Sequence, residues 1–221
     1  MSLCILSEKL LLLEEVVRHC ALPTGNATQD LINACMLDVI ASPNGSDVQE
    51  RLVAEACGAA HKGLVKLGAD ATLEGEELEI KPCKTVKTSS SVNITDDTPA
   101  RLAKDLKTPG KTVAIARCPG GKKFRWVVLC PMTDFAEPRY KAMCKKWKQP
   151  VQPWPESLDE QLHLLEALEE VRQEGDYLRS SQLKFGDIKT VLAGWVHPDV
   201  KVAELMGRSS EVKLMRKLAG M

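Results

Sequence analysis

Between residues 69 and 82 apolar and charged positions alternate with a period of two. Ala71, Leu73, Leu78 and Ile80 fall on one side, and Asp70, Glu79 and Lys81 on the other, as side chains do along a strand. Gly75-Glu76 separates the two runs and suits a type II′ hairpin turn with glycine first. That turn sets Leu73 opposite Leu78, Thr72 opposite Glu79, Ala71 opposite Ile80 and Asp70 opposite Lys81. A slip of one residue would expose the apolar set and bury the charges, so the pattern protects which face is which.

The rest of the chain is read the same way. Helical periodicity predicts two opening helices, over 7–20 and 28–42, before the break at Pro43-Asn44-Gly45. Ser46 to Gln49 has the spacing of a capping box and predicts a helix over 47–62. Val48, Leu52, Ala56, Ala59 and Gly63 then form its inward stripe, with Glu55 inside that stripe and Glu50 pointing the other way. Thr98-Pro99 opens a helix ending near Lys107. The apolar runs over 112–117 and 124–130 read as strands buried in a sheet. A proline-rich connector, 149–155, leads to a helix opened by Ser157-Leu-Asp-Glu160, and the tail reads as short helices near 187–195, 200–206 and 210–218. The expected fold is α/β: a mixed central sheet with flanking helices, and a helical C-terminal portion. The expected division is a core with N-terminal helices over 1–148 and a helical subdomain over 149–221.

Composition narrows the class. The chain has 221 residues, 44% of them apolar and 27% charged, which reads as a globular protein with a real core. Glu8, Lys9, Glu14 and Glu15 interrupt the first apolar run, so it reads as an amphipathic helix and not as a signal peptide. Eight cysteines show neither a CxxC pair nor zinc-ligand spacing with histidine. They read as reduced thiols in a cytoplasmic protein without membrane contact.

The zero net charge hides an asymmetry. Residues 1–80 carry 5 basic and 13 acidic side chains, whereas residues 81–148 carry 16 and 5. Such a sign change along a chain points to nucleic acid. Lys84 and Lys87 follow the acidic hairpin, Asn93 lies in a Ser/Thr-rich extended segment, Lys122, Lys123 and Arg125 mark a hairpin tip, and Arg139 and Lys141 sit on a helix. These are the candidate nucleic-acid contacts. Pro119-Gly-Gly lacks the GKS/T ending of a phosphate loop.

Asp70, Glu79 and Lys81 on one strand face suit phosphodiester hydrolysis. Mg²⁺ takes a few carboxylates and keeps several waters. Asp70 and Glu79 are the candidate metal ligands, with the Ile80 carbonyl between the polar side chains as a third. Lys81 is the candidate for orienting the attacking water. A helix carrying Glu55, then a hairpin carrying Asp…Glu-x-Lys, resembles the PD-(D/E)XK nuclease superfamily, to which type II restriction endonucleases belong. The resemblance covers residues 46–131, with Ala69 where the family name has proline. It implies an endodeoxyribonuclease with a restriction-endonuclease-like core, using Mg²⁺ with Mn²⁺ as a substitute. Asp70, Glu79, Lys81 and Glu55 would be its catalytic residues. Double-stranded DNA would be its substrate, and a homodimer would match a two-fold cutting site. The alternatives are a structure-specific or repair nuclease of the same superfamily, and a non-catalytic DNA-binding or interaction protein.

Overall fold

The computed structural model describes residues 8–41, 46–63, 69–85 and 90–221. Its helices are α1 (Leu12–Cys20), α2 (Ala27–Ala41), α3 (Asp47–Cys57), α4 (Pro99–Lys107), α5 (Ala136–Lys146), α6 (Leu158–Glu170) and α7 (Ser210–Leu218). Its strands are β1 (Ala60–His61), β2 (Ala71–Leu73), β3 (Glu76–Cys83), β4 (Ser91–Asp97), β5 (Thr112–Arg117), β6 (Trp126–Pro131), β7 (Leu178–Lys184) and β8 (Ala193–Val196). Six strands form a mixed sheet in the order β1-β2-β3-β5-β6-β8. Only β3 and β5 run parallel in it, and parallel neighbours need a long crossover. β4 and α4 lie in that crossover. β4 leaves the sheet and pairs with β7 as a separate two-stranded ribbon.

The alternation in the strands sorts the core into two faces. Ala71, Leu78, Ile80, Ala114, Ala116, Val127 and Leu129 pack against Leu10 from the 3₁₀ turn before α1 and Leu13, Ile40, Val53 and Ala54 from the first three helices. Cys83, Val113, Ile115, Trp126 and Val128 pack on the other side against Val92, Ile94, Leu183, Leu214 and Met215. A third cluster joins α4, α5 and α6 through Leu102, Tyr140, Met143 and Leu165. The Thr98 hydroxyl caps α4 by accepting from Arg101 N–H, and Ser157 caps α6 by accepting from Glu160 N–H, each meeting one of the N–H groups that a helix start leaves unpaired.

Several expectations are corrected. The hairpin turns at Glu74-Gly75, both at positive φ (51° and 89°), as a type I′ turn requires. Leu73 therefore pairs with Glu76, and Ala71 with Leu78. The register moves by two residues, so every side chain keeps its face.

α3 stops at Cys57 because Gly58 takes a left-handed C-cap. Its buried stripe is Gln49, Glu50, Val53, Ala54, Ala56 and Cys57, and Glu55 is exposed. The reason is Gln49, which makes no capping box. Its fully buried amide instead donates to the carbonyls of Ile40 (3.1 Å) and Gly121 (2.8 Å), which turns the neighbouring row inward. The break at Pro43-Asn44-Gly45 lies outside the described residues.

The C-terminal portion is not wholly helical. Beside α6 and α7 it supplies β7 to the ribbon and β8 to the main sheet, so residues 149–221 add a strand to each sheet. Among the described residues no helix is long and apolar enough to cross a membrane. The seven described cysteines are free, and burial pushes the Cys118 thiol up to about 12.

Candidate active site

Asp70 immediately precedes β2, and continuing the β2–β3 register brings it opposite Glu79. Both are nearly buried, 8% and 6% exposed. Among the described residues the β2–β3 ladder reaches only as far as Ala71 opposite Leu78. Ile80 N–H donates instead to the Asp70 carboxylate, Oδ2, at 2.7 Å. In an antiparallel ladder the N–H and C=O of one residue point to the same side. The Ile80 carbonyl therefore lies on the same side of the strand as its N–H, the side of Asp70.

Glu79 and Lys81 share a strand face, and their side chains meet with Nζ 2.5 Å from Oε1. Arg101, on the first turn of α4, brings its guanidinium to 3.7 Å from the same Glu79 oxygen. It also donates to the Thr95 carbonyl at 2.6 Å, which ties α4, β4 and the site together. Sequence reading missed Arg101. Its position three residues after the Thr98 cap puts it at the helix start, but only the crossover brings that start to β3.

Lys81 and Arg101 set two cations against the Glu79 carboxylate, while the Asp70 carboxylate sits on the backbone N–H of the next residue, Ile80. The two carboxylates and the Ile80 carbonyl are oxygen donors of the kind that a hard cation keeping its waters accepts. Among the described residues there is no group of three or more His, Cys, Asp or Glu placed to hold a metal. The acids that the site offers therefore number two.

Glu55 does not join the site. α3 packs on the opposite face of the sheet from Glu79 and Lys81, and Glu55 points to solvent. The buried acid on α3 is Glu50, which faces Lys84 electrostatically. Burial, the larger influence, holds the Lys84 ammonium below the ordinary lysine range, while Glu50 and Asp47 oppose it.

The nominated nucleic-acid contacts divide. Arg139 is corrected: it is fully buried, bonded to Asp97 and Asp105, and cannot touch a ligand. Lys123 pairs with Asp199 (2.9 Å) and Glu14 (3.3 Å), Arg125 with Glu204 (2.5 Å), and Lys141 with Glu137 (2.7 Å). Lys122 and Asn93 are exposed. Lys87 lies outside the described residues. Glu79 and Lys81 are therefore in contact, Asp70 lies on the backbone between them, and the basic residues are dispersed, several of them already neutralised by the chain itself. No protein-family model matches this chain, and no curated protein is significantly similar to it.

Proposed function

We propose that the chain is a Mg²⁺-dependent endodeoxyribonuclease of the PD-(D/E)XK superfamily, of the type II restriction-endonuclease kind. The observation that carries this reading is the placing of two nearly buried acids at one end of the hairpin, Asp70 on the Ile80 N–H and its neighbour Glu79 with Lys81 and Arg101 beside it. The mixed sheet, with a helix before the hairpin and helices on its flanks, agrees with the restriction-endonuclease-like core that the resemblance implies. An intracellular, reducing compartment fits the seven free cysteines.

Asp70, Glu79 and the Ile80 carbonyl would hold the ion. Bound Mg²⁺ supplies a Lewis acid and a water of lowered pKa. Lys81, beside Glu79, would donate a hydrogen bond to the attacking water and align it. Arg101 offers planar donors to the non-bridging phosphate oxygens, the geometry guanidinium suits best. The Asp70–Ile80 hydrogen bond keeps the first carboxylate aimed across the mouth of the hairpin.

The test is incubation of the purified protein with plasmid DNA in Mg²⁺, in Mn²⁺ and in EDTA. Discrete fragments in either metal and none in EDTA are expected. A smear would indicate an unspecific nuclease, and intact plasmid in every lane would end the reading.

Cutting both strands at one site calls for two active sites, which a two-fold homodimer provides. The exposed stripe of α2 suits a second copy. Leu31, Ile32, Met36 and Val39, 66, 52, 42 and 51% exposed, line up with Cys35 at helical spacing and carry no charge. Two copies can therefore face each other without like charges meeting. Sedimentation velocity should find the wild type at twice its 24.3 kDa mass and Leu31→Glu at the monomer mass. A wild type that stays monomeric at tens of micromolar would remove the dimer.

A further inference from the structure

The β4–β7 ribbon has one apolar face and one polar face. Val92, Ile94 and Leu183 turn inward and are buried in the second core cluster. On the other face Ser91 lies opposite Lys184, Asn93 opposite Gln182, and Thr95 opposite Ser180. All but Ser91 are exposed. None of these six side chains is acidic. Among the described residues, the side chains of Asn93, Thr95, Ser180, Gln182 and Lys184 make no hydrogen bond or ion pair. This contrasts with Lys111, Lys123, Arg125 and Arg139, whose charges are met within the chain. Donors and acceptors that the fold leaves unspent are thus gathered in a ladder on one face.

We propose that this face enters the major groove of duplex DNA and reads bases beside the cut, with Asn93 and Gln182 as the specificity-determining pair and Lys184 on a phosphate. The location relative to the cut rests on the nuclease reading; the readout does not. Three features point to duplex DNA. A two-stranded ribbon, about 4.8 Å between strands, fits a major groove about 12 Å wide. Directly opposed residues carry Cβ atoms about 5 Å apart, so the two amides stand side by side. That spacing is comparable to the roughly 3.4 Å rise of one base step. An amide presents a donor and an acceptor together, which matches N7 and N6 of adenine in the major groove. The three pairs bear a lysine and no carboxylate; beyond Thr95, Asp97 is buried on Arg139, and the exposed acid Asp96 lies at the end of the ribbon. Finally, Arg101 bonds the Thr95 carbonyl and approaches Glu79, so one side chain links this end of the ribbon to the carboxylates. A groove occupied by the ribbon has its sugar–phosphate backbone alongside them.

The experiment is selection of bound sequences from a random duplex pool in EDTA, where no cutting occurs, followed by sequencing. The wild type should enrich a motif containing A·T pairs. Asn93→Ala and Gln182→Ala should each relax one position, lowering discrimination there about 5- to 150-fold, with the rest of the motif retained. Lys184→Ala should weaken all sequences alike and reduce the salt dependence by about one phosphate contact. These side chains are exposed, so thermal unfolding should stay unchanged and report intact folding. An unchanged motif in both amide variants, binding without any sequence preference, or no duplex binding at all would overturn the proposal. The two readings fail separately. Ribbon variants that shift the motif of a protein that never cuts plasmid would leave the readout standing without the nuclease. Metal-dependent cutting with an unchanged motif would do the reverse.

Discussion

Arg139→Met is expected to cost about 3–5 kcal/mol of folding stability, the effect of removing one partner from a buried ionic group. The guanidinium is fully buried and forks onto Asp97, with Nε to Oδ2 at 2.9 Å and a terminal nitrogen to Oδ1 at 2.7 Å. Its other terminal nitrogen reaches Asp105 at 2.8 Å. Asp105 also meets Lys111 at 2.8 Å, and Lys111 meets Glu77 at 2.9 Å. One chain of charges thus joins α5, the end of β4, α4 and the hairpin. Burial pulls the Arg139 pKa down, yet Asp97 and Asp105 together hold it above the ordinary arginine range, so the charge is well compensated. Methionine fills part of the volume but leaves Asp97, with no exposed surface, uncompensated. Adding Asp97→Leu should recover much of the loss, because Lys111 still neutralises Asp105 and no orphaned charge remains. Urea midpoints of the two variants measure this. A single variant that unfolds at the wild-type midpoint would mean that the network contributes nothing.

Arg139 also marks the limit of reading charge along a chain. Counting cations finds the basic block but not which way each one points. The direction was present in another signal. Arg139 shares its helical row with Ala136, Tyr140 and Met143, all buried, whereas Lys141 and Lys145 lie off that row. On α3 periodicity alone was ambiguous, since two neighbouring rows are both rich in small apolar residues. The choice between them was made by Gln49 bonding to Ile40 and Gly121, partners 9 and 72 residues away. The hairpin faces were legible because parity survives a shift of two. Its turn was not, since Glu74 adopts positive φ without being glycine. The late strands were hidden for different reasons. β8 is four residues long and contains Gly194, where an added Cβ would sit 2.2 Å from the Leu218 side chain; the glycine marks the close approach of α7 and not a helix. β7 carries a polar face that finds its partner only in β4. The site followed the same rule. Asp70, Glu79 and Lys81 are local to one hairpin, so alternation alone nominates them, while Arg101 arrives through the crossover.

Asp70→Asn, Glu79→Gln and Lys81→Met should each lower Mg²⁺-dependent DNA cleavage by about 10²–10⁴-fold, the range for losing a positioned group that acts on the attacking water or the developing charge. The substitutions nearly preserve shape, so the loss is separable from unfolding. An asparagine oxygen can still accept from Ile80 N–H, as the Asp70 carboxylate does. Glu79→Gln gives up the pair with Lys81 and a long contact with Arg101, but both cations keep access to water that can hydrate them, and the unfolding temperature of the variant checks that the fold is kept. DNA binding in EDTA should persist in all three. In Asp70→Asn and Glu79→Gln it should tighten, because a negative charge facing the phosphate is gone. The three residues act on one ion and one water, so the triple variant should be hardly slower than the weakest single one. Purely structural carboxylates would behave differently: their loss would lower the unfolding temperature, and any fall in cleavage would follow stability and not charge. Wild-type cleavage in all three variants, with folding intact, would leave the acidic pair as scaffold and the nuclease reading without its centre.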